Sequence, residues 1–373
     1  MQPAKISYLT DITFGFGALA GVAQTAADLG MRRPMIVTDP PLVTLGVVDR
    51  LAVTAAAVFD QVESNPTEQS AVDAAQRFGE AQCDGLIAIG GGSPIDLAKA
   101  IALLADHPGP LAQYALIHGG ADRITSNMPP VIAIPTTAGT GSEVGRAALI
   151  TLATGDKLAL ISPHMIPDAA ICDPELTMSM PAHLTAATGM DAVSHCVENY
   201  CSPRFNPAAD AIALDGLERA YRHIRTAVFE PTDREARTQM MTAALEGGLT
   251  FQKGLGAVHA LSHPLGALRD KRLHHGTLNA VFLPHVLRFN ADACPDKMGI
   301  MARRMGLKSA ADLPDAAAQL TEQLNLPLTL GALGLAGSDL EPLAAKAIAD
   351  HCSAANPRAM TEQHCANLYR QAL

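Results

Sequence analysis

The first 180 residues alternate short apolar runs with amphipathic segments, and this alternation limits the folds available to the chain. The strand-like runs are residues 34–39, 56–60, 85–89, 131–134 and 169–172. Helical periodicity over residues 67–82 and 97–105 lies between some of these runs. Strands that alternate with helices of this length form a parallel sheet covered on both faces. Such sheets bind ligands at the carboxyl ends of their strands.

The pattern changes twice after these strands. Residues 147–152 and 157–161 flank Ala153-Thr154-Gly155-Asp156, which predicts a β-hairpin. From Pro181 onward the strand signals stop. The helical segments that follow are punctuated at Pro207, Pro231, Pro284, Pro295, Pro327 and Gly337. We therefore expect an α/β domain with a parallel sheet over residues 1–180 and an all-α domain over residues 181–373.

The composition argues against two classes of partner. Twenty-seven basic and 37 acidic residues give the 373-residue chain a net charge of −10, without any basic run. Binding to nucleic acid or to an anionic membrane is therefore not expected.

The seven cysteines are scattered and form no CxxC motif, which is typical of a reducing compartment. Because no apolar run approaches about 18 residues, we expect a cytoplasmic protein.

A glycine-rich turn follows the strand at residues 85–89. Gly91, Gly92 and Ser93 precede a helical run, so Ser93 is expected to cap the helix, with Pro94 in its first turn and Asp96 as a capping-box acid. Glycines let backbone amides approach a ligand, and a helix N-terminus favours a phosphate group. A tight turn with a good cap would explain the same residues without any ligand.

A second small-residue loop, PTTAGTGSEV, follows the strand at residues 131–134. It is rich in hydroxyl groups and glycine, like the first loop. Because the carboxyl ends of parallel strands meet at one sheet edge, the two loops could hold a pyrophosphate between them.

Histidines are concentrated late in the chain, where residues 254–275 hold four of the thirteen. His259 and His263 are four residues apart, as are Asp191 and His195, so each pair projects from one face of a predicted helix. Imidazole and carboxylate suit iron(II) or zinc. Alternatively, Asp191 and His195 form a surface pair and His263 is a buried core residue.

Four motifs in order carry a family resemblance: GGGSPID, PTTAGTGSEV, TGMDAVSHCVENY, and GLGAVHALSHPLGAL followed by HHGTLNAVFLPHVLRFN. With these motifs the chain resembles the iron-containing (group III) alcohol dehydrogenases over nearly its whole length. The resemblance implies a dinucleotide-binding domain followed by a helical metal-binding domain. It also implies a metal- and nicotinamide-dependent oxidoreductase that interconverts a primary alcohol, or a hydroxy acid, and its aldehyde by hydride transfer.

The resemblance assigns roles to individual residues. The implied metal ligands are Asp191, His195, His259 and His275, and His263 is expected to transfer a proton near the nicotinamide and substrate. The expected cofactor-binding residues are Asp39, Gly91, Gly92, Ser93, Asp96, Thr136, Thr137, Thr140, Lys157 and Leu176. The expected metal is Fe²⁺, with Zn²⁺ as the alternative. We also expect a homo-oligomer.

Asp39 bears on the choice of cofactor. A carboxylate at the end of its strand would accept hydrogen bonds from an adenosine ribose and repel the extra phosphate of NADP. NAD is therefore the expected cofactor, with NADP as the alternative. Asp39 could instead simply cap the following turn.

Two features depart from the family pattern. The segment from His263 to His275 is longer than usual and places His274, interpreted as a solvated neighbour, beside the expected ligand. Gly145 stands where the family often has threonine. Lys253 weakly suggests an anionic substrate, but an exposed helical lysine would explain it equally well.

Three other functions are weighed against this interpretation. A dehydroquinate synthase-like lyase would need a basic cluster for a phosphorylated substrate, and only Arg269, Lys271 and Arg272 lie near the histidines. Glycerol dehydrogenases usually carry GGGK rather than GGGS in the glycine loop. A non-catalytic nucleotide or metal sensor would need neither a full set of ligands nor an open cofactor loop.

Overall fold

The computed structural model describes Ile6, Tyr8, residues 10–268, Lys271 and residues 273–373. Arg269 and Arg272, two residues of the basic group considered above, lie outside the described part. The chain forms two compact units, of which one spans Tyr8–Met178 and the other contains Ser179–Leu373.

The first unit is built on a six-stranded sheet. Its strands are β1 (Asp11–Phe14), β2 (Pro34–Val37), β3 (Ala57–Phe59), β4 (Gly85–Gly90), β5 (Val131–Pro135) and β8 (Ala169–Cys172). Their order in the sheet is β1-β8-β5-β4-β2-β3, and every neighbouring pair is parallel. The expected hairpin is present as the antiparallel pair β6 (Ala147–Thr151) and β7 (Lys157–Ile161). The expected parallel sheet is thus confirmed.

Side-chain alternation along β4 explains why the sheet has a core on each face. Leu86 and Ala88 pack in one apolar cluster, whereas Ile87 and Ile89 pack in the other. Successive residues of a strand point to opposite faces, so a strand that is apolar at every position must be covered on both. The helices of this unit are α1 (Val22–Asp28), α2 (Pro40–Thr44), α3 (Glu68–Glu80) and α4 (Gly92–Asp106).

The second unit contains helices and no strand in its described part. Its helices are α5 (Ala182–Cys201), α6 (Pro207–Phe229), α7 (Arg234–Leu249), α8 (Ala257–Gly266), α9 (His275–Asn290), α10 (Pro295–Arg304), α11 (Leu313–Gln323), α12 (Gly337–Leu340), α13 (Leu343–Ala349) and α14 (Glu362–Ala372). Among the described residues, no helix combines the length and apolarity needed to cross a bilayer.

Some prolines of this unit begin helices, whereas others lie inside them. Pro207 and Pro295 begin helices, as their fixed φ favours. Pro284 was expected to interrupt a helix but lies inside α9, and Pro264 lies inside α8. Both are buried, so packing of these helices outweighs the hydrogen bond that each proline removes.

Helix α5 is the central helix of this unit and packs against α6, α7 and α9. Every residue from Thr185 to Cys201 is buried. A polar side chain on this helix must therefore find a partner inside the protein, because unpaired burial is costly. This requirement applies to three acidic or imidazole side chains on α5, which are Asp191, His195 and Glu198.

Candidate active site

Three helices bring the four expected metal ligands to one point. Asp191 and His195 lie on α5, His259 lies on α8, and His275 is the first residue of α9. The Nε2 atoms of His195, His259 and His275 lie 3.5, 3.6 and 3.6 Å from the same Oδ1 atom of Asp191.

This spacing fits a shared cation. Ligand atoms bound about 2.1 Å from one ion in a tetrahedral arrangement lie about 3.4 Å from each other. Burial raises the pKa of Asp191, but the neighbouring His195 and His275 outweigh it and lower that pKa below its usual range. A carboxylate that stays ionised next to three imidazoles is the donor set that suits iron(II) or zinc.

A surrounding shell of hydrogen bonds holds these ligands. Burial would lower the pKa of His259, but Glu198 and Asp191 outweigh it and raise that pKa to about 9. Asn279, one turn after His275 on α9, donates from Nδ2 to Asp191 Oδ1 at 2.7 Å. Neither Glu198 nor Asn279 is predicted from the sequence. Both stand at helical spacing from an expected ligand, but that spacing alone does not single them out, because their partners lie on other helices.

His263 belongs to a different group of side chains beside the candidate metal ligands. Its Nδ1 lies 2.9 Å from Oδ2 of Asp350, and its ring stacks on His275 at 5.4 Å and on His351 at 5.9 Å between centroids. Its neighbours Asp350 and His351 come from the segment after α13, far along the chain, so no local spacing could reveal them. Cys352 also lies within 4.8 Å of this group.

The expected cofactor loops follow neighbouring strands. Gly91 follows β4 and Thr136 follows β5, and these strands pair side by side in parallel. β2 pairs on the other side of β4 and ends two residues before Asp39. Asp39 and both loops therefore share the carboxyl edge of the sheet, where ligands of such folds bind.

A close contact explains why position 92 of the first loop is glycine, whereas position 91 is in ordinary contact with the second loop. A Cβ on Gly92 would lie 2.5 Å from Oγ1 of Thr140, and one on Gly91 would lie 3.4 Å from Cγ2 of Thr137. The two loops therefore touch at the start of α4. The amides of the first turn of α4 have no side-chain cap and remain suited to an anion.

The expected cap of α4 is wrong in its details. The helix begins at Gly92 with Gly91 as N-cap, and the hydroxyl of Ser93 instead accepts from the amide of Asn65 at 3.3 Å. Asp96 is not a capping-box acid because its carboxylate is bound elsewhere. It accepts from Ser142 Oγ at 2.5 Å and from the amide of Leu149 at 3.0 Å.

Three further expected cofactor residues occupy defined places in this unit. Asp39 caps α2 by accepting from the amide of Leu42 at 3.1 Å, and it is only half-buried. Lys157 donates to Oδ1 of Asn65 at 2.7 Å, which links it to the Ser93 turn. Leu176 is buried in the core cluster under the sheet, in the short 3-10 helix Pro174–Thr177.

Lys253 and His274 lie in different surroundings, one inside the helical unit and one at its surface. Lys253 is fully buried and forms an ion pair with Asp210, so the suggestion that it meets an anionic substrate is wrong, and so is the alternative of an exposed helical lysine. Its aliphatic chain and ammonium are enclosed within the helical unit. His274 is exposed and precedes α9, as expected for a solvated neighbour of His275.

Comparison with known proteins identifies the family. The family model of iron-containing alcohol dehydrogenase matches residues 10–174, and the C-terminal model of the Fe-containing alcohol dehydrogenase family matches residues 185–373. The chain belongs to the iron-containing alcohol dehydrogenase family. This membership confirms the predicted family and fold class, the oxidoreductase class with alcohol–aldehyde interconversion, and the use of a nicotinamide cofactor with a divalent metal.

Individual members of the iron-containing alcohol dehydrogenase family are similar over the full length. A 4-hydroxybutyrate dehydrogenase of Cupriavidus necator is 50% identical over 366 residues, covering 95% of this chain and 96% of that protein. The crystal structure of a 1,3-propanediol oxidoreductase has a TM-score of 0.93 at 37% identity, covering 99% of this chain and 100% of the other. A sulfoacetaldehyde reductase from Bifidobacterium kashiwanohense in complex with NAD⁺ has a TM-score of 0.90 at 28% identity, covering 100% and 99%.

Proposed function

We propose that this protein is an NAD-dependent dehydrogenase of an ω-hydroxy acid, with its cation bound by Asp191, His195, His259 and His275. The observation that carries the proposal is the convergence of three imidazole nitrogens on one carboxylate oxygen at 3.5–3.6 Å. We further propose that residues 1–180 form the cofactor-binding domain and residues 181–373 the metal-binding domain.

The residues around the ligands have separate tasks in this proposal. The cation, when bound, acts as a Lewis acid on the substrate oxygen. His263 is held through Nδ1 by Asp350, which directs its Nε2 atom away from that carboxylate. The ring of His263 stacks on that of His275, and its Nδ1 atom is engaged by Asp350. We therefore assign proton transfer to the Nε2 atom of His263.

Metal analysis of variants tests the proposed ligands. His259→Ala and Asp191→Ala are expected to lose both bound metal and activity, because each removes a ligand atom from the cluster. His274→Ala, which removes an exposed imidazole next to a ligand, is the matched control and should retain both. Elemental analysis of each purified protein gives the metal content. Full activity in metal-free wild type would overturn the assignment and favour another role for the site.

We propose that the loops after β4 and β5 bind the pyrophosphate and that Asp39 selects NAD. The proposal is supported by the shared sheet edge and by the contacts of Gly91 and Gly92 with Thr137 and Thr140. Asp96 is proposed to shape the second loop rather than to touch the cofactor, because both of its oxygens accept hydrogen bonds from the chain.

The choice of NAD can be separated from the capping role of Asp39. Asp39→Asn keeps an oxygen that accepts from Leu42 but removes the charge. We expect it to narrow the ratio of kcat/KM for NAD to that for NADP without changing the unfolding temperature. Asp39→Gly, which removes charge and cap together, should narrow the ratio equally. An unchanged ratio in both variants, or a wild type that prefers NADP, would leave Asp39 as a turn residue only.

The carboxylate of the proposed substrate needs a cation near the metal ligands. Arg204 is exposed, and its guanidinium lies beside Gly254 at the start of the histidine-rich segment. Burial lowers the pKa of His351, a neighbour of His263, to about 4, and the charge of Arg204 contributes to this lowering. The 50% identical relative that acts on 4-hydroxybutyrate makes such a substrate the leading candidate.

Paired substrates test this assignment. A charge-assisted hydrogen bond contributes about 1.5–3 kcal/mol, so Arg204→Gln should lower kcat/KM for 4-hydroxybutyrate by about tenfold or more. The value for 1-butanol, which has the same chain length without the carboxylate, should stay nearly unchanged. Arg222→Gln, which alters an exposed arginine on α6 that pairs with Glu218, is the control. Equal losses for the two substrates would contradict the role of Arg204.

We also propose a homo-oligomer in the cytoplasm. Strand β1 lies at the edge of the sheet, and its residues Ile12 and Phe14 are exposed, as are Ile6 and Tyr8 before it. An apolar edge strand is a surface that another copy can cover. Light scattering of the purified protein tests the oligomer, because a monomer at micromolar concentration would contradict it.

The proposal of a cytoplasmic location has separate support. All seven cysteines are free thiols, which fits a reducing compartment.

A further inference from the structure

We infer that Glu198 is the positioning residue of the metal centre, which holds His259 in the tautomer that binds the cation. The inference rests on the proposed metal centre and concerns a residue outside its ligand set. Glu198 lies three residues after His195 and seven after Asp191 on α5, so all three project from one face of this buried helix.

Both oxygens of this carboxylate are used on α8. Oε2 lies 2.5 Å from Nδ1 of His259, and Oε1 accepts from the amide of Val258 at 2.6 Å. Glu198 is only 3% exposed. The amide fixes the rotation of the carboxylate, and the fixed carboxylate then fixes the plane of the imidazole.

The direction of the hydrogen bond decides which nitrogen is available. An ionised carboxylate accepts and cannot donate, so Nδ1 of His259 must carry the hydrogen. Nε2, which lies 3.6 Å from Asp191 Oδ1, is then the nitrogen that would offer its lone pair to a bound cation. A carboxylate that orients a metal-binding histidine in this way typically changes metal affinity about 10–100-fold.

The glycine before α8 supports this arrangement. A Cβ on Gly256 would lie 3.0 Å from Oε1 of Glu198 and 2.9 Å from Oδ1 of Asn356. Asn356 in turn accepts from the amide of Ala257 at 3.2 Å. The first turn of α8 is therefore held by two side-chain acceptors that leave no room for a side chain at residue 256.

Glutamine at position 198 separates positioning from packing. It has nearly the same volume, but its amide cannot accept from both Val258 and His259 as the carboxylate does. We expect Glu198→Gln to raise the dissociation constant for Co²⁺ about 10–100-fold in competition with a chelator. The visible absorption bands of bound Co²⁺ should also change, because the ring of His259 is less constrained. Both readouts are independent of turnover.

Glu246→Gln is the matched control. Glu246 is a partly buried acid of the helical unit, and desolvation together with Asp215 raises its pKa to about 8, so glutamine resembles its neutral form. Its Co²⁺ affinity should equal that of the wild type. Wild-type affinity and spectrum in Glu198→Gln would overturn the inference while leaving the metal centre intact. Failure of the wild type to bind Co²⁺ would instead refute the proposed function.

A second measurement needs no stable variant at Glu198. In wild-type protein loaded with Zn²⁺ and labelled with ¹⁵N-histidine, the His259 ring should show a protonated Nδ1. The signal is assigned by its absence in His259→Gln. A protonated Nε2, or an unprotonated Nδ1, would overturn the inference even if Glu198→Gln does not fold.

Discussion

Lys99 on α4 is expected to be the main support of the second cofactor loop. Its side chain is 1% exposed, and Nζ donates to the carbonyl of Ser142 at 2.7 Å, to Oγ of Ser142 at 2.8 Å, and to the carbonyls of Gly145 and Ala147 at 2.9 Å each. Asp96 lies one turn earlier and accepts from the same Ser142 hydroxyl. One ammonium group therefore holds the end of the loop that follows β5.

The effect of Lys99→Met can be worked out from these contacts. Methionine fills much of the same space but offers no donor, so three carbonyls, one hydroxyl and the Asp96 carboxylate lose their cation. Breaking a buried charged network costs about 3–5 kcal/mol. Burial lowers the pKa of Lys99 to about 8, although Asp96 partly offsets this effect. The buried ammonium is therefore itself costly, and we expect the loss of stability to lie at the lower end of that range. About 3 kcal/mol corresponds to a Tm lower by roughly 6–12 °C in a unit of this size.

Calorimetry and cofactor titration check this expectation. Lys99→Met should unfold at a lower temperature at pH 7 and should bind NAD more weakly, because the loop after β5 is no longer held. Lys308→Met changes an exposed lysine of the helical unit and is the control for loss of one positive charge. A Tm within about 2 °C of the wild type, less than 1 kcal/mol, together with unchanged NAD affinity, would refute the reasoning.

Three further expectations concern the helical unit. The pKa of His259 is raised from 6.5 to about 9, so the metal-free protein should lose stability as pH rises from 6.5 through 9. Its affinity for Co²⁺ should instead rise about tenfold per pH unit over the same range, because the proton on His259 competes with the cation. A Co²⁺ affinity that does not change with pH in chelator competition would contradict this. Gly276→Ala places a Cβ 2.1 Å from the carbonyl oxygen of Ala187, so it should lower both Tm and metal content, while Gly299→Ala, which meets only a flexible side chain at 3.6 Å, should not. His263→Gln should lower kcat and alter its pH profile while retaining the metal, and metal loss would make His263 a ligand.

The fold was predictable where burial alone decides it. Strands β2, β4 and β5 are apolar at every position because both faces of the sheet are covered, and runs of this kind are visible in the sequence. The start of α4 was not predictable in detail. Ser93 and Asp96 have the spacing of a capping box, but their side chains bind Asn65 and Ser142 instead. A local motif cannot show that distant segments offer better partners.

In the candidate site too, some residues are recognisable from the local sequence and others only from their contacts with distant segments. The four proposed ligands are three imidazoles and a carboxylate, and Asp191 and His195 are four residues apart on one helix, so the chemistry of the set is recognisable in the sequence. Glu198 has the same kind of spacing, yet a glutamate in a helix is so common that only its burial against α8 distinguishes it. Asp350, 87 residues from His263, has no local signal at all. In the proposed site, the residue types of the ligands decide which cation suits them. Glu198 engages Nδ1 of His259 and Asp350 engages Nδ1 of His263, so the orientation of these two rings depends on the tertiary fold.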